Sequence, residues 1–244
     1  MKPAAPYIGG KKNLARRLVP LIEAIPHDTY AEPFVGMGGV FLRRRQRPRA
    51  EVINDYSRDV ATFYRIIQRH YLAFLEMLRF QATVRTEFDR LMAVNPDTLT
   101  DLERAARFLY LQRLAFGGKV TGRNFGVSHH RPGRFDVMRL ERQLEEIHER
   151  LSGVIIERLP FADFIARYDT PATLFYLDPP YWGSEGDYGS DLFGRPDFET
   201  LVATLAKVRG RFILSINDTS QTRELFGQFE FVEVGTRYSI SSGN

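Results

Sequence analysis

Short strand-like runs separated by helical periodicity occupy both ends of this chain, whereas the middle is nearly strand-free, and this arrangement constrains the fold more than any other feature. Asn13 to Ala24 places Leu14, Leu18, Leu21 and Ile22 at helical spacing, Thr29 to Val35 reads as a strand, and a glycine turn then opens the segment Val40 to Arg45. Glu51 to Asp55 is a second strand ending in acid. After a helix over Val137 to Leu151, strands recur at Val154 to Arg158, Thr173 to Asp178, Arg211 to Asn217 and Phe229 to Arg237. Strands alternating with helices predict a mostly parallel sheet with helices on both faces, an α/β fold. Between Tyr56 and Arg150, amphipathic stretches such as Val60 to Phe80 and Leu102 to Phe116 predict helices, their aromatic stripes facing a core. The spacing therefore predicts an α/β domain of residues 1–55 plus 151–244, split by a helical insertion over 56–150. Within the insertion, Gly117 to Val127 carries four glycines and predicts a loop or hairpin. The last strand should be succeeded by a hairpin partner, but Ser242-Gly243-Asn244 reads as a polar turn, so a closing strand is expected to be missing.

Composition removes whole classes of function. With 244 residues, 43% of them apolar, the chain can bury one or two ordinary cores. It has no cysteine, which excludes disulfides, thiolate metal sites and any thiolate nucleophile. His27, His70 and His148 stand alone without metal-ligand spacing, so no metal is expected. No apolar run reaches the roughly 18 residues of a membrane span, and Met1-Lys2-Pro3-Ala4-Ala5-Pro6 lacks a signal-peptide core, so a cytoplasmic location and no membrane partner are expected. The net charge of +4 is too small to name a polyanion partner unless the charges cluster.

The most specific motif is Leu174-Phe175-Tyr176-Leu177-Asp178-Pro179-Pro180-Tyr181-Trp182. An apolar strand delivers Asp178 to its carboxyl end, where ligands bind in open α/β sheets, and two prolines stiffen the chain just beyond the acid. This group suits activation of an exocyclic amine on a planar base. The amine lone pair is delocalised into the ring, so nitrogen becomes nucleophilic only when acceptors hold both N–H bonds. The Asp178 carboxylate and the Pro179 carbonyl can be those acceptors. Tyr181, with Trp182, offers a stacking face, and a base taken from a duplex has to flip out to reach it.

Two glycine-rich segments accompany it. Glu32-Pro33-Phe34-Val35-Gly36-Met37-Gly38-Gly39 comes after the first strand, where glycines allow close backbone approach to a ligand, and Asp55 ends the next strand where a carboxylate can accept from ribose hydroxyls. The spacing is not that of the dinucleotide fingerprint, which disfavours NAD. Tyr7-Ile8-Gly9-Gly10-Lys11 precedes the first helix and combines an aromatic, two glycines and a cation able to wrap a carboxylate-bearing ligand.

Taken in order, aromatic-x-Gly-Gly-Lys, Glu-Pro-Phe-x-Gly-x-Gly, Asn54-Asp55, a helical insertion and Asp-Pro-Pro-Tyr resemble the Dam-like (D12 class) DNA N6-adenine methyltransferases over nearly the whole chain. The resemblance implies a Rossmann-like S-adenosylmethionine-dependent methyltransferase sheet with an inserted helical target-recognition domain. It implies S-adenosylmethionine as cofactor, with Tyr7, Lys11, Phe34, Gly36, Gly38, Asp55, Asp163 and Asp178 at cofactor positions, Asp163 at the one that contacts the cofactor adenine. It implies Asp178, Pro179, Pro180 and Tyr181 as the catalytic motif and double-stranded DNA as partner. The missing cysteine agrees, since C5 methylation of cytosine needs one whereas direct transfer to an exocyclic nitrogen does not.

Between Glu103 and Asp136 there is no acid but seven basic residues, Arg104, Arg107, Arg113, Lys119, Arg123, Arg131 and Arg134. Such clustering predicts a nucleic-acid face. Gly117 to Val127 matches the family's recognition loop, with Arg123 suited to bidentate reading of guanine, Lys119 to phosphate or base, and Asn124 to adenine or to capping the turn. Arg131 and Arg134 extend the candidate DNA-binding set. A second cluster, Arg43, Arg44, Arg45, Arg47 and Arg49, reads as a solvated helix end, and Trp182 to Arg195, with its glycines, as a loop able to close over substrate. Two departures stand out: Pro6 occupies the place of the lysine found in members that recognise GATC, and Phe116-Gly117-Gly118 that of Tyr-Asn-Gly. No recognition sequence therefore carries over, and whether a restriction endonuclease partners the chain is not encoded in these motifs. The alternatives are methylation of adenine in RNA, N4-cytosine methylation, and a catalytically idle DNA-binding module of the same fold.

Overall fold

The computed structural model describes residues 1–11, 13–127, 130, 132–187 and 192–235. The run Thr173-Leu174-Phe175-Tyr176-Leu177 is buried at every position, as a strand covered on both faces must be. It is β4 (Thr173–Leu177) of a parallel sheet that also contains β1 (Thr29–Glu32), β2 (Ala50–Asn54), β3 (Ile155–Glu157) and β5 (Arg211–Leu214), in the order β3-β2-β1-β4-β5. Side chains alternate between two cores, as the period of two requires. Tyr30, Ile53, Leu174 and Tyr176 face one core, and Ala31, Val52, Phe175 and Leu177 the other. The second core is closed by α7 (Phe161–Tyr168), α8 (Arg195–Leu205) and α9 (Ser220–Leu225).

The first core is shared with α1 (Ala15–Ala24) and with α2 (Arg58–Arg69), α3 (Tyr71–Leu78), α4 (Arg85–Ala93), α5 (Asp101–Leu114) and α6 (Val137–Arg150), which together cover the strand-poor middle of the sequence. The single helix expected over Val60 to Phe80 is two, because His70 leaves helical geometry at φ −127°, ψ 35°. Helix α5 starts at a capping box in which Thr100 and Glu103 satisfy each other's backbone N–H, and it lies against α2, α3 and α4. It is buried almost all round, so its arginines turn inward. Arg104 pairs with Asp59 at 2.6 Å and Asp97 at 2.8 Å, Arg107 donates to the Leu91 carbonyl at 2.8 Å, and Arg113 donates to the carbonyls of Ala4 and Arg134. Three of the seven basic residues expected to face nucleic acid are thus internal cross-links. Their stems pack as apolar chain while their heads find acceptors, a choice that charge counting cannot see.

Other expectations are corrected too. After the glycine turn the chain makes only a 3-10 turn over Phe41–Arg43, and Arg44 is buried, not solvated, pairing at 2.8 Å with Glu51, which Arg150 of α6 also grips at 2.6 Å. Of the loop or hairpin expected over residues 117–127, the loop is the form taken, with a 3-10 turn over Phe116–Gly118 and an isolated bridge between Ala115 and Phe125. Residues 229–235 form no strand, since 230–233 are exposed and offer no apolar face to dock; the rest of the expected segment, Thr236 and Arg237, lies outside the described residues, as does the tail.

Candidate active site at the carboxyl edge of the sheet

Strands β1 and β4 are neighbours, but from β1 the chain proceeds to β2 and β3 on one side and from β4 to β5 on the other. Such a reversal opens a crevice between the two carboxyl ends. Here it is a cavity of about 920 Å³, bordered by the N-terminal strap, the glycine turn, Asp55, Phe161, Asp178 and Phe193. Glu32 ends β1 and Asp178 comes directly after β4, so both acids face the same space.

Lys11 joins the strap to the acid edge. Its ammonium lies 2.7 Å from Asp178 Oδ1, donates to the Gly9 carbonyl at 3.0 Å and sits 4.3 Å from the centre of the Tyr181 ring. Burial raises the Asp178 pKa above its ordinary value, and the Lys11 charge opposes that rise. For Lys11 the balance is reversed. Burial works against its charge, but Asp178 and Tyr181 outweigh it and raise its pKa. The Tyr181 hydroxyl lies 3.3 Å from Ser215 Oγ, and Pro179 and Pro180 are buried, with Pro180 on the cavity wall. Glu32 accepts from the Tyr30 hydroxyl at 2.6 Å, and burial, with the nearby Asp178 charge adding to it, pushes its pKa up to about 8.

The glycine turn divides its work. Gly36 takes φ +50°, its N–H donates to Asp55 Oδ2 at 2.9 Å, and a Cβ there would come within 3.1 Å of the Tyr7 ring. Gly38 takes φ +72° and points inward, where a Cβ would meet the Tyr64 hydroxyl at 2.8 Å and Leu42 Cγ at 2.9 Å. Asp55 also accepts from Ser57 N–H at 2.9 Å, and burial pushes its pKa up to about 6 against those two hydrogen bonds. Phe34, Gly36, Tyr7 and Lys11 line the cavity; Asp163 does not, being exposed on the first turn of α7 beyond Pro160 and Phe161, which do.

The candidate DNA-binding residues are spread around the loop after α5. Lys119 and Asn124 are exposed, Arg123 is folded back with Nη2 3.1 Å from Gln112 Oε1 and Nε 3.2 Å from the Lys119 carbonyl, and Arg134 donates to the Ala115 carbonyl at 3.3 Å. Arg131 lies outside the described residues. Thr121 reaches across to the Gly186 carbonyl at 3.0 Å, joining this loop to the segment after Tyr181, whose Glu185 pairs with Arg195 at 2.8 Å. The part of that segment over 188–191 lies outside the described residues.

A parallel sheet with its cavity at the strand reversal, a glycine turn on one wall and Asp-Pro-Pro-Tyr on the other defines a Rossmann-like methyltransferase. The model of the D12 class N6 adenine-specific DNA methyltransferases matches residues 7–240, and the chain belongs to that family. Among its relatives, the type II methyltransferase M.CviBI of Paramecium bursaria Chlorella virus NC1A is 25% identical over 242 residues, 98% of this chain and 91% of that protein. The DNA adenine methylases of Salmonella typhi and Escherichia coli K12 are each 27% identical, over 88% of this chain and 81% of theirs. The enzyme is thus an adenine-specific DNA methyltransferase. No helix among the described residues is long and apolar enough to cross a membrane, and no group of acids and histidines among them could hold a metal ion.

Two site features escape the sequence. Glu32 reads there only as the start of the glycine motif, although, like Asp178, it is an acid closing a buried strand, which is the available signal. Gln112 carries no such signal, because only the folded loop shows what its amide meets.

Proposed function

We propose that the chain transfers a methyl group from S-adenosylmethionine to N6 of an adenine flipped out of duplex DNA, with residues 1–55 and 151–244 as the catalytic part and 56–150 as the part that carries target recognition. The observation behind this reading is Asp178, held at the cavity wall by Lys11 next to Pro179, Pro180 and Tyr181. The cavity fits the cofactor chemically. Gly36 leaves room only for backbone beside Tyr7, Phe34 and Phe161 offer apolar wall to an adenine ring, and Asp55 is an acceptor fixed by two backbone N–H groups. When bound there, the cofactor supplies an electrophilic sulfonium methyl.

The residues of the chain do the rest. The Lys11 charge opposes the rise that burial imposes on the Asp178 pKa and so favours its carboxylate, which with the Pro179 carbonyl can accept from the two N–H bonds of the target amine and return electron density to nitrogen. Tyr181 supplies the aromatic surface for stacking the base, beside the Lys11 ammonium 4.3 Å from its ring centre. Lys119, Arg123, Asn124, Arg131 and Arg134 are assigned to DNA, and Asp163 to the cofactor adenine from a position it would reach only by a local rearrangement of α7. A DNA substrate makes the cytoplasm the proposed location.

The test is expression in a host free of DNA methylation, with modified bases mapped by long-read sequencing. Expected is N6-methyladenine at one motif, abolished by Asp178→Ala while calorimetry still detects binding of sinefungin, an unreactive analogue of the cofactor. Methylation persisting in that variant, or modified RNA with unmodified DNA, contradicts the reading.

A further inference from the structure

The three side-chain bonds of Gln112 span two parts of the molecule that the proposed function treats separately. Gln112, on α5, is completely buried. Its amide nitrogen donates to the Pro6 carbonyl at 2.9 Å and to the Gly118 carbonyl at 2.6 Å, and its oxygen accepts from Arg123 Nη2 at 3.1 Å. Two carbonyls on one side and a guanidinium on the other permit only this orientation of the amide. Pro6 belongs to the strap that places Tyr7 against Gly36, whereas Gly118 and Arg123 belong to the loop assigned to DNA. A second weld runs alongside: Ile8 N–H donates to the Gly118 carbonyl at 3.0 Å, and a Cβ on Gly118 would sit 2.9 Å from the Tyr7 nitrogen. Among the described residues no carboxylate pairs with Arg123, so the buried amide is its strongest anchor beside the Lys119 carbonyl.

We propose that Gln112 is a positioning residue that couples cofactor binding to target reading, by holding the strap and Arg123 with one side chain. This rests on the methyltransferase reading above. With the amide in place, Tyr7 is pre-organised over the glycine turn and Arg123 is presented from a fixed origin. Without it, both lose their reference at once, because a fully buried site leaves no water to replace the bonds.

The test pairs Gln112→Met, which keeps volume and loses all three bonds, with two readouts: sinefungin affinity of the free enzyme by calorimetry, and the methylated motif by long-read sequencing in a methylation-free host. Expected are a five- to tenfold weaker sinefungin Kd and relaxed discrimination at one base of the motif, the same base that Arg123→Met relaxes. A change in only one readout, or in thermal stability alone, overturns the coupling. Should Gln112→Met not fold, Gly118→Ala perturbs the same weld from the loop side, and it must likewise move both readouts. Wild-type enzyme that neither binds sinefungin nor methylates DNA overturns the underlying reading and the proposal with it; wild-type activity with unaltered variants overturns the proposal alone.

Discussion

The two glycine-rich turns look alike in sequence and hold their conformation by different means. Gly36 and Gly38 sit between β1 and the first core, where added atoms would strike Tyr7, Tyr64 or Leu42. Gly117 and Gly122 have the same left-handed backbone, yet a Cβ at either would meet nothing within 4 Å. The first turn is shaped by packing; in the second, Gly118 and Gly126 meet close neighbours, while the stretch around Gly122 is held by polar bonds from Gln112, Arg123 and Thr121. A cradle set by packing places chemistry reproducibly, and a loop set by polar tethers can change its sequence and its target without disturbing the fold.

The largest effect should come where the packed region also carries charge. Replacing Lys11 with Met leaves Asp178 buried without its cation, so the carboxyl pKa rises further and more of it is neutral at pH 7. A neutral carboxyl accepts poorly, and kcat should fall on the order of 100-fold, an amount typical for loss of one pre-organised electrostatic group. Steady-state kinetics from pH 6.5 to 9 should then show the variant recovering part of its rate as pH rises, because hydroxide restores the carboxylate. A pH profile parallel to wild type would mean that Lys11 acts elsewhere.

Gly38→Ala probes the packed turn itself. The substitution combines a left-handed backbone with contacts of 2.8 and 2.9 Å, and it should cost about 2–4 kcal/mol, visible as a fall in Tm of roughly 5–12 °C by calorimetry. A smaller fall would mean that Tyr64 yields easily and that the cradle is softer than its distances suggest.

Much of this region is legible in the sequence, for a reason specific to it. A strand apolar at every position must be central, a central strand's carboxyl end is where ligands gather, and Asp178 stands there. Asp55 is legible on the same logic. The features that escape depend on which way a side chain turns. Arg104, Arg107 and Arg113 have the same charge as Arg123, but a helix wrapped by three others forces theirs inward. Arg44 resembles its solvated neighbours in sequence, yet it is buried against Glu51 and over the Tyr30 ring. Asp163 matches a family position, yet its side of α7 faces solvent.

Glu32 gives the packed region a pH signature that the loop lacks. Its folded pKa is raised to about 8 by burial and the charge of Asp178, opposed by the Tyr30 hydrogen bond, Arg44 and Arg150; unfolded it returns to the ordinary carboxylate value near 4.5. Between those two values the folded state binds the extra proton, so stability is full at the acid end of the window and is lost as pH rises toward 8. Asp55 adds the same sign over the narrower range up to about 6. Wild-type Tm should therefore decline from pH 5 to 8, and Glu32→Gln should remove the decline between pH 6 and 8 and roughly halve it below pH 6, where only the Asp55 contribution remains. An unaltered slope in the variant would show that Glu32 is already ionised at neutral pH.

The smallest effect should be that of Gly122→Ala, and its smallness is what makes it informative. The residue needs φ +55° but has open space around it, so the cost is that of a left-handed alanine alone, on the order of 1 kcal/mol and about 2–4 °C in Tm. If the loop owes its shape to Gln112 and Thr121, alanine should be accepted in place, with sinefungin affinity unchanged because the strap and Gly36 are untouched. A Tm loss as large as that of Gly38→Ala would erase the distinction between the two turns, since it would require packing around residue 122 that the fold does not contain. A small Tm loss joined to weaker sinefungin binding would instead mean that strain in the loop reaches the cavity by a path other than Gly118, and the polar tethers would have to be counted as part of the cradle.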